Sequence, residues 1–504
     1  MSGLEGLGMV MLVMMIGVIF IGFPISFTLL ILALGFGYAG LGQMVFDLAY
    51  LQTIGMIKME ELAAVPLFIF MGFLTEQAGL MERLFRAFRD LLASVRGALY
   101  LGVILTATVF AMATGIVGAA VTVLGIMAAP IMIKSGYDAR MSAGSIAAGG
   151  TLGILIPPSV MLIVMGPVLG VSVADLYSAA FGPGFMLAGL YIVYTMVRSF
   201  LHPKLGPPVP VDERPESWAI VIKEVFLGMV PLGMLITCTL GSILMGLATP
   251  TEAAAVGCFG AFVLAVAYGR FTLGGVKAAC ISTMNTTSMV MFLAVTSNIF
   301  GAVFARLGTA EWITKSLIAL PLPPTLMLLL VLALIFLLGW PFEWPAIILV
   351  FLPIFQPVVQ ALGYDMVWFG ALVAVTMQTA YLSPPVAMSA YYLKQVVPQW
   401  SLGTIYKGMF DFMGIQVFAI LIVLFVPSIA LWLPTTLTAQ ATAVRMAPSS
   451  AEDAATEGEQ GRNVLEEEYK SGSEAPAKDP LDEEYKGDKV PEQDAGKKQS
   501  RRAK

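Results

Sequence analysis

The sequence predicts an all-α polytopic membrane protein built from two inverted repeats, each with a re-entrant helical hairpin and a Pro-Pro-broken helix. Three observations carry that expectation. Hydrophobic residues make up 58% of 504 positions and charged residues 12%, where soluble domains hold roughly 45–50% and about 25%. Apolar runs long enough to cross roughly 30 Å of hydrocarbon recur as far as residue 435. The chain also matches itself when slid by 227 residues, and the matches gather at helix-breaking positions.

Single spans are expected at 5–23, 26–42, 61–79, 140–168, 176–198, 224–246, 251–269, 284–305, 368–392 and 408–433. The regions 98–134 and 323–361 exceed one crossing and are interrupted in the middle. Each reads as a helix–tip–helix hairpin that enters and leaves on one side. The first run has neither a basic flank nor a cleavage site before it and reads as a retained span. "MERLFRAFRDLLASVR" (81–96) is a basic amphipathic arm suited to the membrane interface. Ten spans then place fourteen basic residues on one face, and only Lys58, Arg306 and Lys315 on the other. The positive-inside rule makes the first face cytoplasmic. The chain divides into a first repeat (1–200), a cytoplasmic connector (201–223), a second repeat (224–435) and a tail (436–504). That tail holds 11 Lys/Arg and 15 Asp/Glu with few large apolar residues, so disorder is expected.

At the offset of 227, Pro130 meets Pro357, Gly136-Tyr137-Asp138 meets Gly363-Tyr364-Asp365, and Pro157-Pro158 meets Pro384-Pro385. With Ala147 on Ala374 and Leu155 on Leu382, that makes eight identities in about thirty gapless columns. Each half holds five spans, an odd number, so the second copy enters the membrane upside down. Inverted repeats mark alternating-access transporters, whose sites lie at the midplane between the halves.

The chemistry should sit at the breaks. Proline lacks an N–H and clashes with the preceding turn, so "TLGILIPPSVML" (151–162) and "QTAYLSPPVAMS" (378–389) open their helices and free carbonyls. Freed backbone in hydrocarbon is costly unless it meets protein, a cavity or an ion. Unwound carbonyls and half-helix C-termini suit Na⁺, and half-helix N-termini suit a carboxylate. Thr151 and Ser159 bring hydroxyls to one break; Thr376, Thr379 and Ser383 bring them to the other. The first hairpin tip offers Thr114, Gly115 and Gly118, small enough for close backbone approach. The second carries Glu343 between two long apolar arms. An acid at such depth points to function, unless the tip reaches headgroup water. Glu252 is read as a helix-start residue, and Asp138 and Asp365 as caps. His202 and the scattered Cys238, Cys258 and Cys280 lack metal spacing. No "GxxxxGK[ST]", "HExxH" or "GxSxG" occurs, so neither ATP-driven transport nor an enzyme is expected. Nor is a nucleic-acid partner.

These residues resemble the large membrane (permease) subunit of tripartite ATP-independent periplasmic (TRAP) transporters over roughly 5–433. The most specific pieces are "GTLGILIPPSVMLIVMG" (150–166), "ATPTEAAAVG" (248–257) and the "P…GYD…SPPVAMS" stretch (357–389). The resemblance implies an elevator in the bacterial inner membrane, driven by a Na⁺ gradient without an organic cofactor. It implies that a periplasmic binding protein delivers an organic acid and that a small four-helix membrane subunit braces the scaffold. By the same resemblance, one Na⁺ site would involve Thr114, Gly115 and Gly118 with Thr151, Pro157 and Ser159. The other would involve Phe342 and Glu343 with Thr376, Thr379, Ser383 and Pro384. The first tip reads "ATGIVGAA", where many relatives carry several small hydroxyl residues. A stand-alone Na⁺/carboxylate elevator symporter would share the repeats, hairpins and breaks, and only the motifs favour the tripartite system. A non-transporting scaffold has no need of two matched breaks.

Overall fold

The computed structural model describes residues 3–115, 117–209, 214, 217–384 and 387–446, and within them every regular element is helical. The chain opens with α1 (Gly3–Phe20), α2 (Ile25–Leu41) and α3 (Met44–Ile57). A 3-10 turn over Glu60–Ala63 leads into α4 (Ala64–Gln77), then α5 (Leu80–Leu91). A helical pair follows, α6 (Ala98–Thr114) and α7 (Val117–Lys134). Helices α8 (Ala139–Leu155) and α9 (Val160–Leu169) flank the first Pro-Pro, and α10 (Val173–Leu201) closes this half. The second half starts with α11 (Trp218–Ile236), a π segment over Thr237–Gly241 and α12 (Ser242–Leu244). Next come α13 (Pro250–Ala267), α14 (Leu273–Arg306), α15 (Thr309–Ile318) and α16 (Pro324–Leu338). Then α17 (Trp344–Ala346), a π segment over Ile347–Phe351 and α18 (Leu352–Ala361) make one bent arm. Helices α19 (Met366–Leu382) and α20 (Met388–Val396) flank the second Pro-Pro; α21 (Leu402–Phe425) and α22 (Ser428–Met446) follow.

Among the described residues, eight helices are long and apolar enough to cross a membrane, or ten if each of two bent pairs counts as one span. The α8–α9 pair bends by 45° at the first Pro-Pro, and the α4–α5 pair by 58°. Large apolar side chains stand exposed along α1, α11 and α13, Phe226 and Phe259 among them, as lipid-facing surface requires.

Element boundaries recur at the offset found in the sequence. Helices α8 and α19 start and end 227 residues apart, and the arm from Val117 to Lys134 corresponds to that from Trp344 to Ala361. The "GYD" turns recur too. Gly136 (φ 70°) and Gly363 (φ 76°) take the left-handed conformation that a side chain resists. Asp138 and Asp365 then accept from the backbone N–H of Met141 and Trp368, each at 2.8 Å. Glu252 closes a capping box with Thr249, the structural role expected of it.

Several boundaries differ from expectation. Helix α3 occupies a stretch assigned no span; its 14 residues are too short for a crossing but apolar enough to pack. The span expected at 284–305 begins at Leu273, because its polar first turns lie on a continuous helix capped by Thr272. The last expected span, 408–433, is two helices separated at Val426-Pro427. Helix α22 runs past the start of the tail expected at 436, as far as Met446; residues 447–504 lie outside the described ones. The connector is not loose either. Its 202–209 stretch is tied to the base of α6 by Gly97 N–H to Gly206 O (2.9 Å), Val209 N–H to Ala93 O (3.1 Å) and Tyr100 Oη–H to Leu205 O (2.6 Å). Residues 210–213, 215 and 216 lie outside the description.

Two sets of helices organise residues Met1–Thr438, one compact unit. A frame forms where α13 packs on α4 and α14 packs on α2, α3 and α4. A core forms where α6 and α7 clasp α8, α21 crosses α8 and α19, and α16 lies on α19. The α8–α21 crossing is tight: a methyl group on Gly408 would sit 2.0 Å from the Arg140 carbonyl oxygen, and one on Gly144 2.7 Å from the Gly408 carbonyl oxygen. Arg140 also pairs with Asp411 at 2.5 Å across this contact. Gly414, on the same helix, has open space around it. Gly408→Ala should therefore destabilise the protein by about 1–3 kcal/mol through overpacking, whereas Gly414→Ala should change stability by less than about 0.5 kcal/mol. Thermal unfolding of the two variants in detergent checks both.

Candidate functional site

Each Pro-Pro pair removes two successive backbone donors, so the carbonyls four residues upstream lose their helical partners. In the first break these are Gly153 and Ile154; in the second, Ala380 and Tyr381. The chain re-satisfies one itself, as Ser159 Oγ donates to the Ile154 carbonyl at 2.5 Å. Tyr177 Oη donates to the Ser159 carbonyl at 3.3 Å and braces the far side of the break. The tip between α6 and α7 closes on the same place. Gly115 (φ 60°) approaches so closely that a methyl group there would lie 3.2 Å from the Pro158 carbonyl oxygen and 3.8 Å from that of Gly153. The tip between α16 and α17 does the equivalent: a methyl group on Gly339 would lie 2.8 Å from Ala380 Cβ.

Both tips and both breaks wall a single cavity of about 230 Å³. Gly115, Val117 and Ile154 line it, and so do Phe342, Trp344 and Tyr381, their partners at the 227-residue offset. Gly118, Glu343 and Tyr392 complete the core side. The frame contributes Ile69 of α4 and Thr286, Met289 and Val290 of α14. The cavity is therefore seated between core and frame.

Of the residues expected at the sites, Gly115, Gly118, Phe342 and Glu343 are on the cavity wall. Thr151, Pro157, Ser159, Thr376, Thr379, Ser383 and Pro384 are not; those hydroxyls are buried behind it. Thr151 Oγ1 donates to Ala148 O (2.8 Å), Thr376 Oγ1 to Leu372 O (2.8 Å), Thr379 Oγ1 to Thr376 O (2.6 Å) and Ser383 Oγ to Thr379 O (2.7 Å). Each hydroxyl has spent its proton on its own helix and keeps lone pairs that can face a cation. Thr114 is the last residue of α6, and its side chain falls outside the described residues, as do Pro385 and Val386. Glu343 is half-buried at the start of α17. Among the described residues it has no ion-pair or hydrogen-bond partner, and no lysine or arginine lines the cavity. The cavity thus holds one carboxyl without a counter-charge among the described residues.

Sequence reasoning missed Tyr381, Tyr392 and the α14 face from Thr286 to Val290. Tyr381 stood two residues before "SPP" and was legible. The α14 face was not, because only packing brings a frame helix to the tips.

The family description "Tripartite ATP-independent periplasmic transporter, DctM component" matches residues 12–429. The C4-dicarboxylate TRAP transporter large permease of Pseudomonas aeruginosa is 30% identical, covering 74% of this chain and 86% of that one. The sialic acid TRAP transporter large permease of Vibrio cholerae is 30% identical, covering 76% and 88%. Among solved structures, the YdaH transporter of Alcanivorax borkumensis aligns with a TM-score of 0.57 at 17% identity, covering 78% and 89%. That last likeness is one of fold.

Gly115→Ala should cost about 1–2 kcal/mol from the left-handed backbone alone, with the Pro158 carbonyl contact adding to it. A thermal shift for this variant much larger than for Ala substituted at the exposed, right-handed Gly414 checks the closure of tip on break.

Proposed function

This chain belongs to the DctM component family of tripartite ATP-independent periplasmic transporters, and from that membership we propose that it is a Na⁺-driven elevator for an organic acid. As a TRAP large permease it is a multi-pass inner-membrane protein and takes part in ATP-independent transport together with a substrate-binding protein. In the proposed assembly a small four-helix membrane subunit braces the frame, and the periplasmic protein delivers the substrate. The names of the relatives, one for C4-dicarboxylates and one for sialic acid, support an acid as cargo and leave its identity to the binding protein.

One observation carries the proposal: both tips and both broken helices converge on one cavity against the frame. The two halves are inverted repeats, and α6–α7 and α16–α18 are re-entrant hairpins that gate the cavity from opposite sides. Na⁺ binds where Gly115, Gly118, Thr151, Pro157 and Ser159 meet, with Thr114, and again where Phe342, Glu343, Thr376, Thr379, Ser383 and Pro384 meet. Bound Na⁺ supplies the missing partner of the freed carbonyls and of Glu343. Its charge then favours a substrate carboxylate beside it, which couples the two. With both bound, the core slides against the frame and opens the cavity to the other side.

Liposomes containing this chain and its small partner should accumulate the acid only with an inward Na⁺ gradient and the binding protein present. Uptake indifferent to Na⁺ contradicts the coupling, and uptake without the binding protein favours a stand-alone symporter. Glu343→Gln should raise the half-saturating Na⁺ concentration about tenfold, the loss expected for one charged ligand contact. Thermal unfolding in choline would show the variant folded. Unchanged Na⁺ dependence would remove Glu343 from the site.

A further inference from the structure

A second cavity, of about 430 Å³, lies far from the tips at the junction of α5, α11 and the α13–α14 turn. Its wall is polar and carries three arginines, Arg83, Arg86 and Arg270, with Asp90, Glu224 and Tyr268. The charges do not balance. Arg83 spends itself on Glu224, with Nε–Oε2 at 2.7 Å and Nη2–Oε1 at 3.2 Å, and its guanidinium lies 5.3 Å from the Tyr268 ring centroid. Asp90 is taken by Arg89 at 2.7 Å, from outside the cavity. Arg86 and Arg270 form no ion pair among the described residues, and both are exposed. A methyl group on Gly79 would sit 3.8 Å from Arg270 Nε, so this arginine reaches from the turn after α13 to the start of α5. Two guanidiniums from separate elements thus overlook one concave site whose floor is fixed by a bidentate ion pair.

The same elements carry exposed apolar surface. Ile220 stands one turn from Glu224 on the same face of α11, and Val266 and Phe271 flank Arg270. The basic residues of this cavity are on the face that the positive-inside rule assigns to the cytoplasm. A positively charged hollow at the edge of the hydrocarbon, with apolar side chains beside it, matches an amphiphile with a phosphate head. We infer that Arg86 and Arg270 hold the headgroup phosphate of an anionic phospholipid between the α5 arm and the frame. Guanidiniums suit a phosphodiester because they donate two parallel hydrogen bonds to its oxygens, and basic hollows between spanning helices take such headgroups. The acyl chains lie against the apolar side chains of α11 and the α13–α14 turn.

The test is lipid retention by the full chain in complex with its small partner, read by native mass spectrometry after exchange into phosphatidylcholine nanodiscs doped with phosphatidylglycerol. The unmodified protein should retain phosphatidylglycerol over phosphatidylcholine. The double variant Arg86→Gln/Arg270→Gln should lose that preference by about tenfold or more, and Arg86→Lys/Arg270→Lys should keep part of it. The control Lys204→Gln/Lys277→Gln, with the same charge loss on the same face, should retain the lipid fully. Absence of any preference in the unmodified protein would overturn the assignment without recourse to a variant. Equal loss in the control would reduce it to general surface charge. Displacement by millimolar inorganic phosphate would make the ligand a soluble anion, and displacement by the small partner's own segment would make the hollow a subunit contact; either overturns the lipid.

Discussion

Four backbone carbonyls hold the account together: Gly153 and Ile154 before one Pro-Pro, Ala380 and Tyr381 before the other. In hydrocarbon such groups cost several kcal/mol each unless protein, a cavity or an ion meets them. The chain answers with Ser159, whose hydroxyl takes the Ile154 carbonyl, and with two tips that bring a glycine each, Gly115 and Gly339, against the breaks. A side chain at Gly115 would strain a left-handed backbone and crowd the Pro158 carbonyl, and one at Gly339 would collide with Ala380. Long apolar arms are then needed to carry those tips to depth, and the frame is needed to cover the side they leave open. The cavity is what remains where these requirements meet.

The two breaks are related but not equal. The position of Thr151 in the first half is Gln378 in the second, and that of Gly115 is Phe342. Most telling, the tip residue that is Ile116 in one copy is Glu343 in the other. The two stretches related by the 227-residue offset thus differ by one negative charge at the tip. Such asymmetry suits coupling. In the proposed mechanism, a cation recruited at the charged side alters the field at a cavity that both sides share, so ion and substrate are coupled.

Much of the fold was legible in the sequence, because its strongest signals are local. Proline pairs, "GYD" turns and apolar length mark helix ends wherever they occur, and the structure places α8 and α19 at the spacing that the self-match indicates. What was not legible depends on packing. Helix α3 carries an apolar stretch too short for a crossing, and the single 34-residue α14 stands where the first half has α3 and α4. The site was half legible. Glycines and Glu343 announce themselves at the tips, whereas the hydroxyls beside the breaks proved to face their own helices. Thr286, Met289 and Val290 enter only because α14 passes the tips.

The most direct measurement is a distance between core and frame as a function of Na⁺. With Cys238, Cys258 and Cys280 replaced, spin labels at exposed Ile133 at the foot of the core and exposed Leu273 at the foot of the frame would report it. Two distance populations are predicted whose weights shift with Na⁺ and substrate together, and in Glu343→Gln the shift should need about tenfold more Na⁺. A single distance, unmoved by Na⁺ in a chain that still transports, would contradict it.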